Sequence, residues 1–165
     1  MAGPGGSAHV RASLEAATEL WEPVPLDEVR VNDFEAIYIP GGHGCMEDLA
    51  TDPISAEILT ATLSTGTPLG MSCHAPAALL ATGRADGTSP FAGYRVTAFS
   101  NAEERQAGHA EMAKWLLADR LANLGIDYRS GPPWSVHIEA DRNVFTAQNP
   151  LSAASLATEL VRVLA

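Results

Sequence analysis

The chain predicts an α/β fold: a three-layer sandwich with a mostly parallel sheet covered by helices on both faces. Three observations carry this. Short apolar runs recur between helix-forming stretches, as in Ala36-Ile37-Tyr38-Ile39 and Thr67-Pro68-Leu69-Gly70-Met71-Ser72. Such runs read as strands buried on both sides. Two of them end in loops of small or reactive residues, Gly41-Gly42-His43-Gly44 and Cys73-His74-Ala75-Pro76, as loops at the carboxyl ends of parallel strands do. At 165 residues and 46% apolar composition, the chain is also long enough for one domain with a substantial core.

The elements follow in order. Residues 1–11 are glycine-rich and predict irregular structure, residues 12–21 have helical composition, and Trp21-Glu22-Pro23-Val24-Pro25 interrupts it. Asp33 to Ile39 reads as the first strand. Pro53 to Ser64 reads as a helix, with proline in its first turn and Gly66 just past its end. Leu69 to Ser72 is a strand turning sharply at Cys73 into a helix over Pro76 to Thr82. Asp86-Gly87 marks a turn before a strand over Tyr94 to Phe99. Ala110 to Leu124, ended by Gly125, reads as a long helix. Ile126 to Tyr128, Ser135 to Ala140 and Asn143 to Ala147 read as strands, the last two joined by a tight turn at Asp141-Arg142. Pro150 opens a final helix over Ser152 to Leu164.

Composition excludes several function classes. The net charge is −10, and Lys114 is the only lysine among ten basic residues, so no basic stripe is available for a nucleic-acid backbone. No apolar run approaches the roughly 20 residues that cross a bilayer, so no membrane partner is expected. The first residues carry neither a basic region nor an apolar core of a secretory signal. Two cysteines, Cys45 and Cys73, make no disulfide framework, and a reducing cytoplasm is the expected setting. Whether those two could pair depends on their separation. No His, Cys, Asp and Glu spacing marks a structural zinc site.

The chemistry concentrates at Cys73. A nucleophile on a strand-to-helix elbow stands above the sheet beside unpaired helix N–H groups. Those groups and the helix dipole favour thiolate over thiol, so the sulfur is expected to be more acidic than a free cysteine. His74 follows it as a candidate base, although a histidine there could simply cap the helix. About thirty residues upstream, the Gly41–Gly44 loop is placed to aim N–H groups at the same point, and His43 is expected to line the pocket. Cys45 reads as a small apolar filler.

Four segments together resemble the ThiJ/PfpI superfamily, whose fold is flavodoxin-like, of the class I glutamine amidotransferase-like type. They are Asp33-Phe34-Glu35-Ala36-Ile37-Tyr38-Ile39-Pro40-Gly41-Gly42-His43-Gly44, Cys73-His74-Ala75-Pro76-Ala77-Ala78-Leu79-Leu80, Val96-Thr97-Ala98-Phe99-Ser100-Asn101-Ala102-Glu103-Glu104 and Gln148-Asn149-Pro150. The branch most similar contains glutathione-independent glyoxalases (D-lactate dehydratases) and stress chaperones. The resemblance implies Cys73 as nucleophile, His74 as its partner and Glu104 as the carboxylate orienting His74, with Glu103 the neighbouring alternative. It implies oxyanion stabilisation by the N–H groups of Gly42 and His74, within the Gly41–Gly42–His43 loop. It also implies a small aldehyde substrate, no cofactor and a homodimer.

Met71 and Ala75 depart from the small residues usual beside the Cys-His pair of this superfamily. The resemblance also implies an opening strand-helix-strand unit, carrying a glutamate that reaches the cysteine, and this chain starts too late to contain it. The Ile37 strand is then expected to have an unpaired edge. A misassigned start, a fragmentary product or a covering partner chain each account for that. Three functions stand as alternatives: a cysteine-dependent glyoxalase or related hydrolase and deglycase, a non-catalytic chaperone or cysteine redox sensor, and a glutaminase of the amidotransferase type. The last would use His137-Ile138-Glu139, which lies closer to the cysteine than that triad requires.

Overall fold

The computed structural model describes residues 4–165, and what is expected of residues 1–3 lies outside them. Four strands form the main sheet: β1 (Ile37–Ile39), β2 (Leu69–Ser72), β5 (Ile138–Asp141) and β6 (Val144–Ala147), in the order β1-β2-β6-β5. β1 pairs parallel to β2 and β2 parallel to β6, while β5 and β6 form an antiparallel hairpin. The α/β class and the mostly parallel sheet are therefore as the sequence predicts. Arg142, at φ 56°, makes the expected tight turn between β5 and β6.

β3 (Arg95–Val96) and β4 (Asp127–Tyr128) form a separate parallel pair rather than extending the main sheet. Side chains replace the missing ladder between the two sheets. The Thr97 N–H donates to Thr146 Oγ1 at 2.8 Å, and the Arg95 N–H donates to Asp141 Oδ2 at 3.0 Å. A backbone donor bonded to a side chain is satisfied but cannot propagate a strand, which is why the expected Tyr94–Phe99 strand shrinks to two residues.

Helices cover both faces. α2 (Pro53–Thr65) starts with Asp52 accepting from the Ser55 N–H and ends at Gly66, whose φ of 72° closes the helix in the left-handed conformation. It packs on the segment 75–82 over one face of the sheet, around Leu59, Leu69, Met71, Leu79 and Val144. α5 (Ala153–Leu164) covers the other face through Leu156 and Leu160, against Phe145 and Ala147. Gly70 permits that approach, since a Cβ there would lie 2.5 Å from Leu160 Cδ1.

Several expected elements differ. Pro4–Ala16 is helical (α1), where residues up to 11 read as irregular; Pro4 can open a helix because its missing N–H has no partner to lose there. Its described side chains, residues 8–16, are exposed. Val31–Asp33 is a 3-10 turn, so β1 is shorter than the Asp33–Ile39 run. Ala75–Thr82 is a 3-10 rather than an α-helix. Pro76 contributes no donor, and alanines at 75, 77 and 78 tolerate the eclipsed i, i+3 stacking of that tighter spiral. The expected helix over Ala110–Leu124 survives only as α4 (Leu117–Asn123). Tertiary contacts override propensity ahead of it: Gly108 adopts φ 76°, and Lys114 reaches Glu47 at 2.7 Å. A short helix, α3 (Asn101–Gln106), opens with a full capping box between Ser100 and Glu103.

β1 is an edge strand, as expected, and Tyr38 on it is half exposed. Both cysteines are free, and the buried Cys45 thiol lies 3.6 Å from the Pro40 carbonyl oxygen.

Candidate active site

Everything that positions Cys73 comes from strand ends. β2 carries the chain into the elbow, and the Cys73 N–H is held by the Ala147 carbonyl at the end of β6. The Cys73 carbonyl in turn accepts from Phe99 N–H, tying the loop after β3 to the same point. Cys73 sits at φ 57°, a left-handed conformation that non-glycine residues rarely adopt and that concentrates at functional sites. Gly41 is packed tightly against the elbow. A Cβ on Gly41 would lie 2.7 Å from Cys73 Cβ and 2.8 Å from the Ser72 carbonyl oxygen. The Gly41 N–H donates to Ser72 Oγ at 3.1 Å, and that hydroxyl also meets Tyr38 OH at 3.1 Å. Gly42, at φ 129°, then turns the chain so that its own N–H faces the sulfur.

Behind the thiol lies a chain of contacts. Cys73 Sγ is 3.1 Å from His74 Nδ1, and His74 Nε2 is 2.5 Å from Glu104 Oε1. His74 and Glu104 are 1% and 2% exposed, so this pairing is shielded from water. A carboxylate oxygen only accepts, so Nε2 carries the ring proton and Nδ1 presents a lone pair to the thiol. Glu104 stands in the first turn of α3. The two adjacent glutamates, open alternatives in the sequence, are separated by the helix. Glu103 turns the other way, accepting from Ser100 N–H and Oγ–H, from the Trp134 N–H at 2.9 Å and from Asn149 Nδ2 at 2.8 Å. Neither is a solvated surface charge.

The expected acidity of Cys73 is overturned. Burial pushes its thiol up to about 11. The His74 N–H opposes this, the charges of Glu103 and Glu104 reinforce it, and the Gly42 N–H opposes it again. Burial likewise holds His74 below the ordinary imidazole value, against the opposing pull of Glu104. At neutral pH the resting pair is thus thiol and neutral imidazole. The N–H groups of His74 and Gly42 lower the thiol, but the loss of water and two carboxylates outweigh them.

A cavity of about 460 Å³ opens above the sulfur, lined by Gly41, Gly42, His43, Cys73, His74 and, from beyond, Phe99, His109, Trp134 and Pro150. His43 lines it as expected, its ring centroid 3.9 Å from that of His74 and its Nε2 3.1 Å from Glu104 Oε1. His109, Phe99 and Trp134 were not singled out from the sequence. His109 lay at the border of an expected helix, and Gly108 before it was the available sign of a turn. His137 does not line the cavity; it pairs instead with Glu139 at 3.3 Å, the same-face pairing that alternation along a strand dictates.

The model of the DJ-1/PfpI family matches residues 9–163. Among curated proteins, the protein/nucleic acid deglycase HchA of Escherichia coli (O1:K1 / APEC) is 28% identical over 132 residues, covering 76% of this chain and 44% of HchA. The chain therefore spans less than half the length of that relative. Among solved structures, the Rapid Encystment Protein 24 KDa of Francisella tularensis superposes with a TM-score of 0.80 at 30% identity, over 86% of this chain and 63% of the other. Glyoxalase III of Candida albicans superposes with a TM-score of 0.75 at 22% identity, over 83% and 60%, a likeness of fold.

Proposed function

We propose, from the premise that the chain belongs to the DJ-1/PfpI family, that it is a cysteine-dependent glyoxalase, converting a small 2-oxoaldehyde such as methylglyoxal to D-lactate. The carrying observation is the unbroken Cys73–His74–Glu104 contact chain at the floor of a cavity of small-molecule size.

Because the resting sulfur is a thiol, activation happens during attack. His74 Nδ1 takes the S–H proton as Sγ bonds to the aldehyde carbon, and Glu104 stabilises the imidazolium that forms. The N–H groups of Gly42 and His74 receive the carbonyl oxygen as it gains charge. His74 returns its proton to that oxygen, completing a hemithioacetal. The same imidazole then removes the hydrogen on the former aldehyde carbon, giving an enediolate whose remaining O–H proton passes from the former aldehyde oxygen to the neighbouring one. Return of the proton to the adjacent carbon leaves a thioester of lactate on Cys73. Water cleaves that thioester, releasing lactate and restoring the thiol, so the sum is oxoaldehyde plus water giving hydroxy acid. His43 faces the same cavity. These steps use only this chain's side chains and water.

Hydrolysis of glycated adducts is a close variant with the same nucleophile, and the name of the HchA relative supports it. A redox-sensor role is disfavoured by the raised thiol, since sensors rely on an acidic cysteine. The exposed apolar side chains of Leu20, Trp21 and Val24 support a holdase as the second reading. The test is lactate formation from methylglyoxal, with aggregation suppression measured in parallel. Cys73→Ala is expected to abolish turnover. Turnover retained in that variant, or absent in the parent chain while aggregation is suppressed, would overturn the glyoxalase reading.

A further inference from the structure

Glu104 makes more contacts than a triad acid needs. Its Oε1 faces His74 and His43, while its Oε2 is buried and has no hydrogen-bond partner. His109 Nδ1 lies 3.7 Å from Oε2, beyond hydrogen-bond reach. An ionised oxygen left bare inside a protein is unfavourable, and such an atom points to a missing cation or donor. A half-exposed imidazole stands by each oxygen of this carboxylate, His43 at 3.1 Å from Oε1 and His109 at 3.7 Å from Oε2. His43 and His109 are 52% and 48% exposed, with ring centroids 5.0 Å apart.

We infer that His43, Glu104 and His109 form a binding site for a divalent cation of the zinc class, at the rim of the Cys73 cavity. One ligand atom from each residue lies within 4.8 Å of the others. Tetrahedral zinc at bonds of roughly 2.0–2.1 Å sets its ligands about 3.3 Å apart. The contraction required falls on the two half-exposed rings rather than on the buried carboxylate. Two imidazoles and a carboxylate select a borderline cation over calcium or magnesium, which prefer oxygen alone. Three ligands also leave a coordination position facing the cavity, open to water.

The three residues come from the loop after β1, the first turn of α3 and the turn at Gly108, so no sequence spacing announces them. Binding stands on this geometry alone and does not depend on the aldehyde chemistry. Its consequence does rest on that reading: a cation on Glu104 cancels the charge that stabilises the His74 imidazolium, so the occupied protein is switched off.

The experiment titrates the purified full chain with ZnCl2 after chelator treatment, following heat of binding and thermal melting. One equivalent is expected to bind and raise the melting temperature. His109→Ala and His43→Asn are each expected to weaken binding at least about tenfold. Cys73→Ala is expected to keep it. Melting without zinc reports in the same run that each variant is folded, and His109→Gln serves where alanine fails that check. No binding, unchanged affinity in both histidine variants, or loss of binding in Cys73→Ala would each overturn the site.

Discussion

Replacing Glu104 by glutamine keeps the shape of the side chain and removes its charge. In the resting protein little changes, because His74 is neutral and Gln Oε1 can accept the same Nε2–H. The difference appears when Cys73 passes its proton to His74. An imidazolium then forms against a carboxylate whose oxygen is 2.5 Å from Nε2, with both side chains almost fully buried. Taking about 4 Å between charge centres and an effective dielectric of about 20, the attraction is on the order of 4 kcal/mol. At about 1.4 kcal/mol per decade, losing it slows the attack roughly 10³-fold. The amide can also turn its NH2 toward the ring, which moves the ring proton to Nδ1 and removes the base altogether. The assay is kcat/KM for lactate formation, with far-UV circular dichroism to confirm folding. A Glu104→Gln chain within about threefold of the parent would refute the argument, because it would mean that no buried imidazolium forms on the reaction path.

Two further substitutions test the scaffold. Gly41→Ala places a methyl 2.7 Å from Cys73 Cβ, so the elbow must shift; we expect about 1–3 kcal/mol lost in denaturant unfolding and a fall in turnover on the order of 10²-fold from misplacing the nucleophile. Glu103→Gln weakens charge-assisted bonds to Ser100, Trp134 and Asn149, and should lower stability at pH 7 by about 1.5–3 kcal/mol. Burial alone would raise the Glu103 carboxyl, but those hydrogen bonds hold it below the usual carboxylate range. Its contribution is therefore complete above the unfolded value of about 4.3 and drains away as pH falls through the folded one. The gap between the two chains in urea midpoints should close in acid; a gap independent of pH would contradict this.

Much of the site is legible locally. A strand ending at Cys73, a following histidine and a glycine loop each declare themselves within a few residues, and β2 begins and ends where the apolar run does. α2 is equally plain, because Pro53 and Gly66 mark both its ends. What fails is whatever depends on contacts distant in sequence. The run before α4 has helical composition, yet the chain turns at Gly108 and Lys114 reaches across to Glu47. β3 is cut short because Thr146 and Asp141 take its donors. The acidity of Cys73 fails for the same reason. A helix start beside a thiol is visible in sequence, whereas burial and two carboxylates arriving from α3 are not.

The chemistry rests on a thiol that stays protonated until substrate arrives, and its alkylation by iodoacetamide from pH 6 to 10, read by peptide mass at Cys73, tests this most directly. With the sulfur held up at about 11, the reactive thiolate is roughly 10⁻⁴ of the total at pH 7, against a few per cent for a free cysteine. The rate should therefore rise about tenfold per pH unit across the range without levelling. A rate already flat between pH 6 and 8 would show a thiolate preformed at rest, and the coupled transfer to His74 would have no role.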